Sequence, residues 1–501
     1  MVANLDQDPA IELTNGALIW EWDATAKSWK QEGFPGSQAA TRGHVAVADF
    51  GAYGTGLPAT NPELAVVTSG TVRVQAVDGE LAMPPVSVIG GGSGGPPTVS
   101  DFDGDGLPEV AVAAKGAYSI YDIDCGPMPR PNGVCPAGAC DNLTSCPPYV
   151  AWSRASQDFS SSVTGSSVFD FEADGSSEVV YGDECFTRVY DGSSGEVLFS
   201  QFRSSCTWYE NPIVADVDGD FRAELVTPSN KACSSDGKGR TCEQLNPDGV
   251  DPLWNGLRCK NNSDCISGNC DGGLCRCAAV SECCAAKDAT ACTTAGYKCV
   301  PPESSGDPSK GNTCRAAHPE GVSGIRVYAD ANDLWVNSRR IWNQHAYAVT
   351  HINENGTVPK TSQWSNNWDD PTLNNFRQNV PGEPNATGIG DATAGASDAI
   401  VCQGTSAKML VDICNRGALA IGSGMPVGFY VDDKLVCSTA TTQSLFPSDC
   451  EQVECVWTSP PSRDALKVDV QDIADDGNTQ NECKEGNNIG LVKGVYCQPA
   501  N

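Results

Sequence analysis

Short apolar runs separated by polar gaps fill the first two thirds of the chain. One set reads "HVAVA" (44–48), "PPTVS" (96–100), "SSVF" (166–169) and "NPIVA" (211–215). A second set follows each gap: "AIEL" (10–13), "ELAVVT" (63–68), "EVAVAA" (109–114), "EVVYGD" (178–183) and "ELVTPS" (224–229). A third, amphipathic set comes next: "ALIWEW" (17–22), "TVRVQAV" (71–77), "AYSIYDI" (117–123), "TRVYD" (187–191) and "GIRVYAD" (324–330). Turn signals such as "VDGE" and "DGSSGE" lead from the third set to a fourth run, as in "EVLFSQF" (196–202). Short β-type runs with such punctuation read as strands. Helical periodicity is missing, apart from one turn near "DDPTLNNFRQN" (369–379). The pattern predicts an all-β chain in which four short strands repeat, the layout of a β-propeller blade.

The polar gap between the first and second strand has a pattern of its own. It reads "DFDGDGLPE" from Asp101, "DFEADGSSE" from Asp170 and "DVDGDFRAE" from Asp216, with a fainter copy, "NLDQDPAIE", from Asn4. Two degenerate copies are "DFGAYGTGLPATNPE" from Asp49 and "HINENGTVP" from His351. The first five starts lie about 45–70 residues apart, and the widest of these spacings holds a cysteine-bearing excursion (125–146). A repeat of that length indicates a propeller or solenoid.

The loop spacing has a chemical reading. Ca²⁺ takes six to eight oxygens at about 2.3–2.6 Å, and oxygens at alternate positions of a tight turn converge on one point. The predicted ligands are Asp101, Asp103, Asp105, the Leu107 carbonyl and Glu109 in the first clear loop. The second has Asp170, Glu172, Asp174, the Ser176 carbonyl and Glu178, and the third Asp216, Asp218, Asp220, the Arg222 carbonyl and Glu224. Asn4, Asp6, Asp8 and Glu12 form a fourth set, whereas the Asp49 and His351 loops are expected to hold no ion. An EF-hand is excluded, because it places its last Glu at position 12 of the loop between two helices.

The sequence of apolar strand, DxDxDG-type loop, Glu-led strand and "VYDG" (189–192) resembles the FG-GAP or VCBS repeats of integrin-α-like propellers. The resemblance spans about 1–380 and implies six to seven four-stranded blades. Six loops are visible, so the seventh blade is either eroded or supplied by residues lost from the N-terminus.

Composition adds the compartment. The chain has 501 residues and a net charge of −31, which disfavours nucleic acid and anionic membranes and favours divalent cations. Of its 25 cysteines, ten crowd into 259–314, without the paired spacing of a zinc ribbon. Disulfides in an oxidising compartment are the expected reading. The odd count leaves one thiol free or paired outside the chain. No apolar stretch approaches the ~18 residues of a membrane span. The opening "MVANLDQDPAIEL" lacks a signal peptide's basic and apolar stretches, so an export signal is expected to have been lost.

Residues 233–318 read as a disulfide-rich insertion that interrupts a blade and resembles EGF-like or Dickkopf-type knots. After a Pro/Gly/Asn-rich linker, residues 397–501 show short strands at sandwich spacing. "NRGALAIGSGMPVGFYVDDKLV" and "NECKEGNN" resemble the adhesion-related, Ig-like CARDB domain, with seven cysteines for up to three bridges. "DIADDGNTQNE" (472–482) reads as a solvated turn rather than a further cation loop. His345, His351, Arg339 and Arg340 invite a catalytic reading, but Trp and Tyr alternate at strand period there, so blade strands are expected. The functional expectation is a non-enzymatic, secreted or cell-surface binding module with structural Ca²⁺ and a protein or glycan ligand. The alternatives are a polysaccharide lyase-like propeller and a subunit of an extracellular filament.

Overall fold

The computed structural model describes residues 1–6, 8, 10–32, 41–159, 162–205, 210–218, 222–230, 242–317, 323–330, 335–353, 356–361, 364–381, 390–395, 400–417, 420–446, 449–461, 468–479 and 487–497. The chain divides into two compact units, residues 1–215 with 223–384, and residues 385–501 with 216–222.

Unit one is a series of antiparallel sheets, the first four of them built from four consecutive strands each. The first has β1 (Val2–Ala3), β2 (Glu12–Thr14), β3 (Ile19–Asp23) and β4 (Ser28–Glu32). The second has β5 (His44–Ala48), β6 (Glu63–Thr68), β7 (Thr71–Gln75) and β8 (Leu81–Ser87). The third has β9 (Thr98–Ser100), β10 (Glu109–Ala114), β11 (Ala117–Tyr121) and β12 (Val150–Ala155). The fourth has β13 (Ser167–Phe169), β14 (Glu178–Gly182), β15 (Phe186–Tyr190) and β16 (Val197–Phe202). The fifth begins with β17 (Ile213–Ala215) and β18 (Glu224–Ser229).

The chain then enters the cysteine-rich insertion, with β19 (Cys270–Asp271), β20 (Leu274–Cys277), β21 (Tyr297–Val300) and β22 (Asn312–Ala316) in one small sheet. It returns to the fifth sheet as β23 (Gly324–Tyr328), paired with β18. All ten cysteines of 259–314 are bridged: 259–270, 265–275, 277–299, 283–314 and 284–292. These links take the place of an apolar core, which the insertion is too polar to form. Its root is held by a buried ion pair, in which Arg188 grips Asp251 through Nε (2.6 Å) and Nη2 (2.9 Å).

The apolar runs explain the packing. β6 and β10 are buried along their whole length, so both faces of each are covered. Val67 and Val74 of the second sheet share a core with Val99 and Val112 of the third. Tyr118 and Trp152 of the third share another with Val179 and Tyr190 of the fourth. Each such side chain contributes about 1.5–3 kcal/mol by leaving water.

One expectation fails. The Trp- and Tyr-rich stretch is expected to form blade strands, but the described part of 335–381 forms 3-10 turns at Val349–His351, Asn367–Asp369 and Pro371–Leu373 and isolated bridges at Ser338, Phe376, Gln378 and Pro381, with no strand among the described residues. Polar side chains take the backbone groups that a strand ladder would need. Arg339 donates to the Val349 and Ile352 carbonyls, Asn367 to that of Asn375, and Asn379 to those of Val214 and Arg339. The one turn expected within 369–379 is present at Pro371–Leu373.

Unit two consists of two four-stranded antiparallel sheets. One has β24 (Ala392–Ala394), β25 (Ile400–Gln403) and later β29 (Cys450–Trp457), all paired with the long β26 (Ser406–Asn415). The other has the order β28 (Lys434–Ala440), β27 (Pro426–Val431), β30 (Val468–Ala474), β31 (Ile489–Val495). Both sheets feed one core, with Met409, Val411 and Ile413 from the first and Val427, Phe429, Val470 and Val492 from the second. Disulfides 402–497, 414–450 and 437–455 fasten it, and Cys206, Cys233 and Cys483 lie outside the described residues. Among the described residues no helix is long and apolar enough to cross a membrane.

Candidate metal sites

The loops between first and second strands share one register. The residue before each loop pairs with its closing Glu: Ala3 with Glu12, Ala48 with Glu63, Ser100 with Glu109, Phe169 with Glu178 and Ala215 with Glu224. In the loops from Asn4, Asp49, Asp101 and Asp170 the closing Glu turns back and accepts from the backbone N–H of the loop's second residue. The pairs are Leu5 to Glu12 (2.5 Å), Phe50 to Glu63 (2.8 Å), Phe102 to Glu109 (2.9 Å) and Phe171 to Glu178 (3.1 Å). One Glu oxygen is thereby fixed, and the other, Oε1, is buried without a partner at Glu12 and Glu63 and meets Arg130 at Glu109.

The loop from Asp101 is the most fully ordered. Asp101 accepts from Gly104 N (2.7 Å) and Gly106 N (2.8 Å), Asp103 from Asp105 N (3.2 Å), and Asp105 from Leu107 N (2.8 Å). Gly104 and Gly106 have φ of 77° and 86°, values that favour glycine and let the chain curl around its own carboxylates. Oxygens of Asp101, Asp103 and Glu109 lie within 4.8 Å of one another. Asp103 Oδ2 is buried without a hydrogen-bond partner. Burial, with Asp105 and Asp101 close by, pushes the Asp103 carboxyl up to about 7, and burial pushes Asp101 and Glu109 up as well. Clustered carboxylates with an orphaned oxygen form a donor set suited to a hard divalent cation.

The loop from Asp170 repeats this layout. Asp170 accepts from Asp174 N (3.1 Å) and Gly175 N (2.9 Å), and Asp174 from Ser176 N (3.0 Å). Burial raises the pKa values of both glutamates, helped at Glu172 by the charges of Asp170 and Asp174 and at Glu178 by that of Glu172. In the loop from Asp216, Asp216 and Glu224 are buried, Asp218 is exposed and Arg222 is half-buried, while Asp220 lies outside the described residues.

At the N-terminal loop, oxygens of Asp6, Asp8 and Glu12 also lie within 4.8 Å of one another. Glu12 is 1% exposed and its Oε1 has no partner. Burial, then Asp6 and Asp8, push its carboxyl up to about 8. Asn4 is turned to the loop backbone, donating to the Asp8 carbonyl (2.7 Å). The Asp49 loop keeps Glu63, which burial pushes up to about 9, but the residues between them form a longer excursion. In the His351 loop Asn353 is tied to Thr357, and Glu354 and Asn355 lie outside the described residues.

Sequence reasoning missed Arg130. It lies in the excursion closed by the Cys125–Cys135 disulfide and reaches Glu109 (3.2 Å), Asp122 (3.4 Å) and Asp124. Val134, from the same excursion, donates to Asp105 Oδ2 (2.6 Å). The cysteine-bearing detour thus folds over the Asp101 loop and braces two of its carboxylates. No local motif signals this, because the contact spans 21–29 residues.

Of the residues that invite a catalytic reading, Arg339 and His351 meet at one turn. Arg339 binds backbone carbonyls, and His351 is stacked on Trp364 with ring centroids 4.0 Å apart. Burial lowers the His351 pKa to about 4. His345 lines a 350 Å³ cavity with His44 and Arg377.

No family model matches the chain, and no curated protein matches it. Among solved structures it is similar to the Vibrio cholerae biofilm matrix protein Bap1, at 15% identity over 76% of this chain and 85% of that one, with a TM-score of 0.34. It is also similar to the CARDB domain of PF1109 from Pyrococcus furiosus, at 20% identity over 23% of this chain and 100% of that one, with a TM-score of 0.19. A Bacteroides caccae protein of unknown function matches at 12% identity over 51% of this chain and 81% of that one, with a TM-score of 0.24.

Proposed function

We propose that the chain is a secreted, calcium-stabilised β-propeller protein with a cysteine-rich insertion and an Ig-like tail, acting as a binding or adhesion module outside the cell. The observation that carries the reading is the repeated loop, in which the closing Glu is fixed by one backbone N–H and, at the Asn4 and Asp101 loops, carboxylate oxygens gather within 4.8 Å. Repetition at the same place in successive sheets fits a structural ion better than a catalytic one. The propeller reading is supported by sheets that pack one on the next and by first strands β5, β9, β13 and β17 lying side by side in order. The disulfides support an oxidising compartment outside the cytosol.

In this reading Ca²⁺ holds the turns, and rigid loops and the stapled insertion present the binding surface. The test is thermal unfolding with and without chelator, paired with retention on a glycan array and on extracellular protein fractions. Chelation is expected to lower Tm, and added Ca²⁺ to restore it. A melting curve indifferent to both would remove the calcium claim, and no retention on either surface would remove the binding claim.

A further inference from the structure

The N-terminal loop differs from the Asp101 loop in two ways. It offers three carboxylates, Asp6, Asp8 and Glu12, and its fourth candidate, Asn4, donates to the loop backbone. The Asp101 loop has four, Asp101, Asp103, Asp105 and Glu109, under the cover of Val134 and Arg130. Asp6 and Asp8 are exposed, whereas Asp101 and Asp103 are half-buried. Because Asp6 and Asp8 stand in solvent, an ion needing six to eight oxygens keeps solvent-facing positions at the N-terminal loop. Glu12, 1% exposed with an unpartnered Oε1, points to a cation at this place independently of the exposed aspartates.

A groove opens beside it. It has a volume of 830 Å³ and is lined by Val2, Asp8, Ala10, Ile11, Trp22 and Trp29, among others. That volume lies within the ~300–1,000 Å³ typical of small-molecule sites. Trp22 on β3 and Trp29 on β4 are a cross-strand pair, edge to face with centroids 5.4 Å apart. They are 39% and 42% exposed, although the sheet buries Ile19 on the same strand. Indoles left open beside a carboxylate cluster combine two chemistries in one groove. A purely apolar ligand would strip water from Asp8 without replacing it. A pyranose satisfies both, since its C–H face lies on an indole and its hydroxyls supply oxygen ligands.

We infer that the groove between the Asp6–Asp8–Glu12 loop and the Trp22–Trp29 pair is a saccharide site, in which vicinal hydroxyls of the sugar complete the coordination of Ca²⁺ held by the loop. The inference rests on the calcium reading of these loops. It assigns this loop a different task from its relatives: the ion at Asp101 is enclosed by protein, and the ion here is shared with the ligand.

The test uses the full chain and three probes, mannotriose, cellotriose and trigalacturonate, followed by intrinsic tryptophan fluorescence and calorimetry in Ca²⁺ and in EGTA. At least one probe is expected to bind in Ca²⁺ and to be lost in EGTA. Trp22→Ala and Trp29→Ala are each expected to weaken it by about tenfold, while the chelator-induced change in Tm stays as in the parent. Three outcomes overturn the inference: no binding of any probe, binding that persists in EGTA, or binding indifferent to both substitutions. A monomer–dimer equilibrium abolished by the tryptophan substitutions, with no sugar binding, would assign the groove to a second copy instead. Each failure is separable from failure of the calcium reading, which alone removes the Tm response to chelator.

Discussion

Asp472 lies on β30 at 0% exposure, and neither of its carboxylate oxygens has a hydrogen-bond partner. Its cross-strand neighbours are Phe429 and Gly490. A Cβ on Gly490 would stand 2.7 Å from Asp472 Oδ2 and 2.6 and 2.8 Å from the Gly395 and Ala394 carbonyls, so this corner is crowded with oxygens. Burial pushes the carboxyl up to about 7. An unfolded aspartate ionises near 3.9, so the folded state holds its proton more tightly. The group therefore costs stability progressively as pH rises from about 4 to about 7, and the full cost persists above that. Asp472→Asn is expected to be more stable than the parent by roughly 2–4 kcal/mol at pH 8 and equal to it near pH 4. Urea unfolding at both pH values in EGTA checks this, and destabilisation at pH 8 would mean that the carboxylate is held by partners within the fold. The reading of "DIADDGNTQNE" as a solvated turn went wrong at this residue. "VDVQDIA" alternates, and it places Asp472 on the same inward face as Val470 and Ala474.

At the scale of elements, residues 374–379 act as a strap across the first strands of four successive sheets. Asn374 grips Asp49 after β5, accepting from its N–H (2.9 Å) and donating to its carbonyl (2.8 Å). Phe376 pairs with Val99 on β9 through N–H to carbonyl bonds of 2.8 and 3.2 Å. Arg377 Nε donates to Ser166 O before β13 (2.7 Å), and Asn379 donates to Val214 O on β17 (3.0 Å). The strap closes contacts separated by 165–325 residues. Asn374→Ala deletes both bonds at Asp49 and leaves backbone groups without partners, so a loss of about 1–3 kcal/mol is expected. Denaturant unfolding of that variant measures it, and an unchanged midpoint would show that the strap carries no load at this end. "NNFRQN" announced none of this in sequence. Asn374 and Asn379 bond to backbone across the molecule and Gln378 accepts from the Ser100 hydroxyl, whereas period and turn signals report only neighbours along the chain. The strands themselves were legible, because apolar runs such as "ELAVVT" and "EVAVAA" are buried throughout and have no other place to go.

For the whole molecule, the legible part was what repeats. Four strands per sheet and the carboxylate loops recur, so each copy supports the others, and "DFDGDGLPE" is found where β9 turns into β10. Contacts made once, such as Arg130 on Glu109, stayed hidden because nothing in the chain repeats them. The repetition also makes the loops titrate together. Without cation, burial and neighbouring charges hold Asp103 up to about 7 and Glu12 up to about 8, and raise Asp101, Asp170, Glu172 and Glu178. Unfolded carboxyls ionise near 4, so in EGTA the molecule is expected to lose stability steadily as pH rises from about 5 to about 8. The net charge of −31 adds self-repulsion in the same direction. The two contributions separate with salt, because about 0.5 M NaCl screens exposed charges and leaves buried clusters largely unscreened. The expected result is a Tm that falls with pH in EGTA at both salt concentrations. Saturating Ca²⁺ should flatten or reverse that slope, since the ion replaces the protons these carboxyls would otherwise keep. Parallel pH curves with and without Ca²⁺, at high salt, would mean that the loops bind no ion in the folded state.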